Sequence, residues 1–210
     1  MKRVVIWGAS SGLGLAIAQY FADKGTQVIG VARNPDKNPE LKAICHSTFT
    51  CDATVATEVN AVVEQLNQDD IIISTMGSFR ADVPVDYLGH RHLIDAACHA
   101  SLKRFVLVTS LGCGDSWQYL SERSKAGFGG VVREKSLAEA WLQTSDLDYT
   151  IIRPGGLKDG DVTGNGVLVE PKEVHGLVYR QEVARLIFDM LEDGKGSGEI
   201  FHCVDPELTY

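Results

Sequence analysis

Short apolar runs and longer amphipathic segments alternate along this 210-residue chain. Residues 4–7, 27–32, 48–51, 70–74, 104–109, 149–153 and 200–204 are compact and mostly rich in Val and Ile, the pattern of strands buried on both faces. Between them, apolar positions recur at three- and four-residue spacing over 13–23, 41–44, 55–66, 86–101, 133–144 and 183–191, which predicts helices. Lys24-Gly25 closes the first of these with a basic last turn and a glycine stop. The alternation predicts an α/β fold over residues 1–210: one domain, with a doubly wound parallel sheet of about seven strands and helices on both faces. Two stretches, 111–130 and 155–179, break the pattern. Both follow strands. In open parallel sheets ligands lie beyond the carboxyl ends of strands, so these stretches are expected to shape a substrate pocket, the alternative being plain surface loops.

Composition narrows the classes. A net charge of −8 argues against a general nucleic-acid or anionic-membrane surface. No apolar run approaches the ~20 residues that span a bilayer, and Met1-Lys2-Arg3 leads into the first strand without a signal-peptide core. The five cysteines, Cys45, Cys51, Cys98, Cys113 and Cys203, are odd in number and without CxxC spacing, which predicts reduced thiols and a cytoplasmic location. Cys45-His46 with Cys51 lacks the tight pairs of a zinc site, and no metal is expected. The expected partner is a small molecule, with a monomer or homodimer both open.

The chemistry begins at Gly8-Ala-Ser-Ser-Gly12-Leu-Gly14, between the first strand and the first helix. Gly8 permits a tight turn, Gly12 lets backbone approach a pyrophosphate, and Gly14 lets the helix pack near the strand. The helix start then offers free N–H groups to the phosphates. Ser10, Ser11 and Leu13 complete this dinucleotide-binding turn. The second strand ends in Arg33, where an NAD-binding protein carries an acid for the ribose 2′-hydroxyl. An arginine can fork onto a 2′-phosphate and stack on adenine, with Ser10 as a further donor, so NADP(H) is the predicted cofactor. The alternative for Arg33 is a solvated loop cation.

Read together with Cys51-Asp52-Ala53, Ser74-Thr-Met-Gly77, the strand from Arg104 to Ser110, Lys135 to Glu139 and Asp148 to Gly155, the chain resembles the short-chain dehydrogenase/reductase superfamily. The branch it resembles holds the small atypical members, NmrA-like and biliverdin-IXβ reductase (flavin reductase)-like. The resemblance implies that Asp52 and Ala53 contact adenine and that Thr75, Met76 and Gly77 run along the cofactor ribose. It implies that Ser110 faces the nicotinamide, that Lys135 bonds its ribose, and that Pro154 and Gly155 meet its carboxamide. Ser110 and Lys135 are the candidate catalytic pair.

The Tyr-x-x-x-Lys motif of that superfamily is broken, because Val131 stands four residues before Lys135. A tyrosine there gives the substrate its proton, with the ammonium lowering its pKa. Its loss points away from alcohol–ketone chemistry and toward hydride transfer to a conjugated flavin- or bilin-like acceptor. The alternatives are an NmrA-like redox sensor that binds NADP(H) without turnover, and a carbonyl reductase or sugar-nucleotide epimerase.

Other residues carry weaker signals. Trp117, Tyr119 and Phe128 form either a platform for a planar substrate or a cover over the core. His175 is a candidate substrate contact. Cys113 has no assignable base. His90, His92 and His99 share a helix without metal-site spacing, and solvated or edge positions are expected for them. Lys135 and Glu139 are spaced i,i+4, so an exposed pair is the alternative reading for both.

Overall fold

A computed structural model describes residues 3–78 and 83–208. Strand β1 (Arg3–Trp7) runs through the glycine turn into helix α1 (Gly12–Asp23). Then follow β2 (Gln27–Ala32), α2 (Pro39–Ile44), β3 (Ser47–Thr50), α3 (Ala56–Val63) and β4 (Ile71–Ser74). The second half brings α4 (Val85–His99), β5 (Arg104–Val108), α5 (Glu122–Gln143) and β6 (Asp148–Pro154). Three short strands, β7 (Gly156–Lys158), β8 (Val167–Val169) and β9 (Leu177–Tyr179), precede α6 (Arg180–Glu192) and β10 (Glu199–Val204).

The main sheet has the order β3-β2-β1-β4-β5-β6-β10-β8, parallel except for β8, which runs antiparallel to β10. From β1 the chain builds outward through β2 and β3, then returns to lay β4 on the other flank of β1. That reversal opens a crevice at the carboxyl edge between β1 and β4. The pleat sends alternate side chains to opposite faces. Val5 and Trp7 face a core with Leu93, Ile94 and Leu142 of α4 and α5. Val4 and Ile6 face a second core with Ile17, Phe21, Val183 and Ile187 of α1 and α6. Among the described residues no helix is long and apolar enough to cross a membrane.

Helices α1 and α6 lie side by side and run the same way. Phe188 sits edge-on to Tyr20 and Phe21, with ring centroids at 5.7 and 5.2 Å, near the carboxyl end of α1. At the other end, Arg180, the first residue of α6, lies beside Gly12, the first residue of α1.

The doubly wound, mostly parallel sheet is as predicted, with eight strands among the described residues because β8 adds an antiparallel edge that three apolar residues did not announce. Two expectations need correction. The helix predicted over 133–144 begins at Glu122, so much of 111–130 is helical. Ser121 caps it by accepting the Ser124 N–H, and Gly129 lies where a Cβ would be 2.9 Å from the Trp117 ring, so its glycine is there for packing. The stretch 155–179 holds β7, β8 and β9, with β7 and β9 forming a small parallel sheet of their own.

Candidate active site

A cleft of about 1100 Å³ opens where the sheet order reverses. Gly8, Ser10, Ser11, Gly12, Leu13, Gly14, Arg33, Asp52, Ala53, Thr75, Met76, Gly77 and Lys135 line it. The structure therefore brings together the residues of four separate loops that were predicted for the cofactor. Pro154, Gly155 and Ser110 do not line it, nor do Trp117, Tyr119, Phe128 and His175.

The turn is built by glycine at each step. Gly8 adopts φ +84° and Gly12 φ +55°, a region costly for residues with a Cβ. A Cβ on Gly14 would stand 2.2 Å from the Gly8 carbonyl oxygen, so only glycine lets α1 start this close to β1. A Cβ on Gly12 would meet only the Arg180 Nε, at 3.8 Å. The Gly8 and Ala9 N–H groups donate to the Val31 carbonyl at 3.0 and 3.2 Å, and Asn38 Nδ2 donates to the Ser10 carbonyl at 2.8 Å. The turn is thus held from β2 and α2. Ser11 caps α1 by position but makes no side-chain capping bond, so the first-turn N–H groups stay free for an anion. Two buried donors, Trp7 Nε1 and Arg180 Nε, have no acceptor among the described residues, and both residues line the cleft. A glycine cradle, free N–H groups and orphaned donors fit a dinucleotide.

Farther along the cleft, Arg33 is exposed at the end of β2, with Lys37 also on the wall. Asp52 accepts from the Thr54 N–H at 2.9 Å and from its hydroxyl at 2.7 Å. Those bonds, helped by the charge of Arg33, hold its carboxyl below the usual range. The carboxylate is ionised and fixed on the cleft wall.

Lys135 reaches the cleft from α5. Its Nζ donates to the Met76 carbonyl at 2.9 Å and lies 3.0 Å from Oδ1 of the fully buried Asp86. The second Asp86 oxygen accepts from the Ser78 N–H and hydroxyl at 3.0 and 3.2 Å. Lysine and aspartate together strap the loop after β4. Below them His90 is fully buried between the Ser74 hydroxyl, at 2.9 Å, and the Asp86 carbonyl, at 2.7 Å. Burial first, and then the nearby Lys135 charge, push its pKa down to about 4. His90 is therefore neither solvated nor at an edge, as its helix position had suggested. His92 is half-buried, with Nδ1 3.0 Å from the Ala53 carbonyl, and His99 is exposed.

Lys135 and Glu139 are not an exposed pair either. Glu139 is 1% exposed and accepts two bonds from the buried Arg153 guanidinium, at 3.0 and 2.7 Å, and one from Thr109, at 2.6 Å. Arg153 also pairs with Asp115. This cluster ties β6, α5 and the loop after β5 behind the cleft wall that Thr109 forms. Ser110 is half-buried and donates to the Leu111 carbonyl at 3.0 Å. Val131 is half-buried on α5. Trp117 lies under cations, with Arg133 at 4.8 Å and Lys125 at 5.8 Å from its ring. Phe128 is exposed on α5, Tyr119 ends a short 3-10 turn, and His175 is exposed beside Glu173. Cys113 is buried, which pushes its thiol up to about 12 and leaves it protonated. Among the described residues no group of three or more His, Cys, Asp or Glu is placed to hold a metal.

Asn38, Asp86, Thr109 and Arg180 were missed in the sequence, and His90 was read as solvated or at an edge. Asn38, Asp86, Thr109 and Arg180 each act through a partner distant along the chain, so no local spacing marks them. The lone available signal was the acidic first turn of α4, which holds Asp86.

Residues 8–194 match the family model described as NAD(P)H-binding. A solved structure described as ChuY, an anaerobilin reductase from Escherichia coli O157:H7, is 42% identical, with each chain covered over 100% of its length and a TM-score of 0.91. The uncharacterized sugar epimerase YhfK of Bacillus subtilis is 27% identical over 95% of this chain and 92% of its own. Sanguinarine reductase of Eschscholzia californica is 34% identical over 51% of this chain and 40% of its own.

Proposed function

The chain belongs to the NAD(P)H-binding family of atypical short-chain dehydrogenase/reductases, in their NmrA-like branch, and from that membership we propose that it is an NADPH-dependent reductase of a bilin- or flavin-like conjugated acceptor. The observation that carries this reading is the full-length, 42% identical likeness to a protein described as an anaerobilin reductase. The broken Tyr-x-x-x-Lys motif supports it from the side of the chemistry. Val131 has no acidic proton, and Tyr119 lies off the cleft. An acceptor that draws its proton from water needs neither.

NADPH is preferred over NADH because Arg33 and Lys37 stand on the cleft wall where an acid would serve a 2′-hydroxyl. The bound nicotinamide supplies a hydride. The chain's own residues hold and orient. The α1 N-terminus offers N–H groups to the diphosphate, and Asp52 fixes the adenosine end. Lys135 keeps the loop after β4 against the cleft and presents a cation to the ribose. Ser110, bonded to the Leu111 carbonyl, positions the loop after β5 and transfers no proton.

The test is NADPH oxidation followed by absorbance under anaerobic conditions, with a linear tetrapyrrole and flavin mononucleotide as acceptors. Acceptor-dependent oxidation is expected. Tyr119→Phe and Ser110→Ala should lower kcat by far less than the ~10²–10⁴-fold that a positioned general acid contributes. Lys135→Ala should weaken NADPH binding along with rate. Tight NADPH binding with no oxidation by either acceptor sinks the reading in favour of a redox sensor. A thousandfold loss in Tyr119→Phe with NADPH affinity intact makes that tyrosine the acid.

A further inference from the structure

We propose that Arg180 is a phosphate-binding residue of the cofactor cleft, standing beside the glycine turn at the start of α6. The inference deepens the NADPH-binding reading and rests on it, but not on the identity of the acceptor.

Four observations converge. First, α1 and α6 run parallel, and their N-termini meet at Gly12 and Arg180. Each end carries about half a positive charge from aligned peptide dipoles. The α1 end has no acidic residue in its first turn and no side-chain cap, so nothing on that helix neutralises it. Second, a Cβ on Gly12 would touch only the Arg180 Nε, at 3.8 Å, so the guanidinium lies directly beside the backbone that starts α1. Third, the buried Arg180 Nε has no acceptor among the described residues. A buried donor without a partner is costly, and a diphosphate oxygen bound at the turn would satisfy it with a charge-assisted bond. Fourth, the other edge of the guanidinium is occupied. Its Nη1 donates at 2.6 Å to Asp159, which is 91% exposed on the loop after β7. That pair aims the fork without neutralising the Nε face, and its exposure makes it a weak tether.

The position of Arg180 follows from its neighbours. Gly155 and Gly176 cross closely, where a Cβ on Gly155 would be 2.4 Å from the Gly176 carbonyl. This crossing lays β9 beside β7 and starts α6 at the cleft mouth. Glu182, in the first turn of α6, is fully buried and accepts the N–H groups of Thr163, Gly164 and Gly166 at 3.1, 3.1 and 2.8 Å. The acid of this first turn thus holds a loop, and the arginine is left for the cleft.

Dissociation constants measured by fluorescence titration, without acceptor, separate this role from that of Arg33. The probes are NADPH, NADH and adenosine 2′-monophosphate, which has no diphosphate. Arg180→Gln should weaken NADPH and NADH by the same factor, about ten- to hundredfold, and leave the monophosphate unchanged. Arg33→Gln should weaken NADPH and the monophosphate and spare NADH. Asp159→Asn, which keeps the cation and removes its tether, should not weaken NADPH. Unchanged dinucleotide affinity in Arg180→Gln overturns the proposal, as does a loss confined to NADPH or an equal loss in Asp159→Asn. Should Arg180→Gln fail to fold, Arg180→Lys retains the charge without the fork and should show a smaller but still equal loss for both dinucleotides. Because no acceptor is present, these results stand whether or not the protein proves to be a tetrapyrrole or flavin reductase.

Discussion

His90 is the residue whose chemistry is set most completely by its surroundings. The Asp86 carbonyl can only accept, so Nδ1 carries the proton and Nε2 accepts from the Ser74 hydroxyl. The ring is neutral and saturated with partners, and a second proton would have no water to hydrate it. Its pKa falls from 6.5 to about 4 on folding, through burial and then the Lys135 charge. Between those two values the unfolded chain binds a proton that the folded chain refuses. The contribution is intact above pH ~6.5 and is lost as pH falls toward 4, amounting to about 2–3 kcal/mol by pH 4.5. Urea unfolding at pH 7 and 4.5 should show a smaller acid loss for His90→Gln than for the parent, by about that amount. Equal losses would mean that other groups govern the acid limb. Nothing in the segment around His90 marks it as buried. Its partners come from β4 and its own helix, and its burial follows from the packing of α4 against the sheet.

At the scale of elements, Gly12 and Gly14 make separate demands on the glycine turn. Gly14→Ala puts a methyl against the Gly8 carbonyl, 2.2 Å away, so α1 must move off β1 at a cost of about 1–3 kcal/mol in overpacking. Gly12→Ala strains a backbone at φ +55°, costing about 1–2 kcal/mol, but makes only an ordinary contact with the Arg180 Nε, at 3.8 Å. Thermal unfolding with and without NADPH should find Gly14→Ala the less stable apoprotein and Gly12→Ala the one that loses more of the ligand-induced shift. The reverse would place the diphosphate elsewhere. This strand–turn–helix was legible because each step rests on neighbours in sequence. The start of α5 was not. Gly127, Gly129 and Gly130 read as loop, whereas Gly129 is needed against Trp117 and Ser121 supplies the cap. Strands β7, β8 and β9, at three residues each, are too short to show a period. The cofactor wall was legible through its motifs, and the ion clusters behind it were not, because Lys135–Asp86 and Arg153–Glu139 join separate elements.

For the whole molecule, the cleft sits on the seam between the two halves of the sheet and draws its wall from both. A ligand there couples the halves. At a hundredfold excess over its Kd it adds about 2.7 kcal/mol. For a domain of about 200 residues, where 1 kcal/mol moves Tm by about 2–4 °C, NADPH should raise the midpoint by about 5–11 °C in a single transition. Calorimetry checks this, and two separated transitions would mean that the halves unfold independently. The same sheet ends in unequal margins. On one side is β3, four residues reading Ser-Thr-Phe-Thr, and on the other is the three-residue β8, laid antiparallel. A fibril grows by adding strands to a long, flat, apolar rim of unpaired amides and carbonyls. Here each rim offers four residues or fewer, one of them largely hydroxylic. Both rims are thus blunted against templated polymerisation through the main sheet when the protein is concentrated.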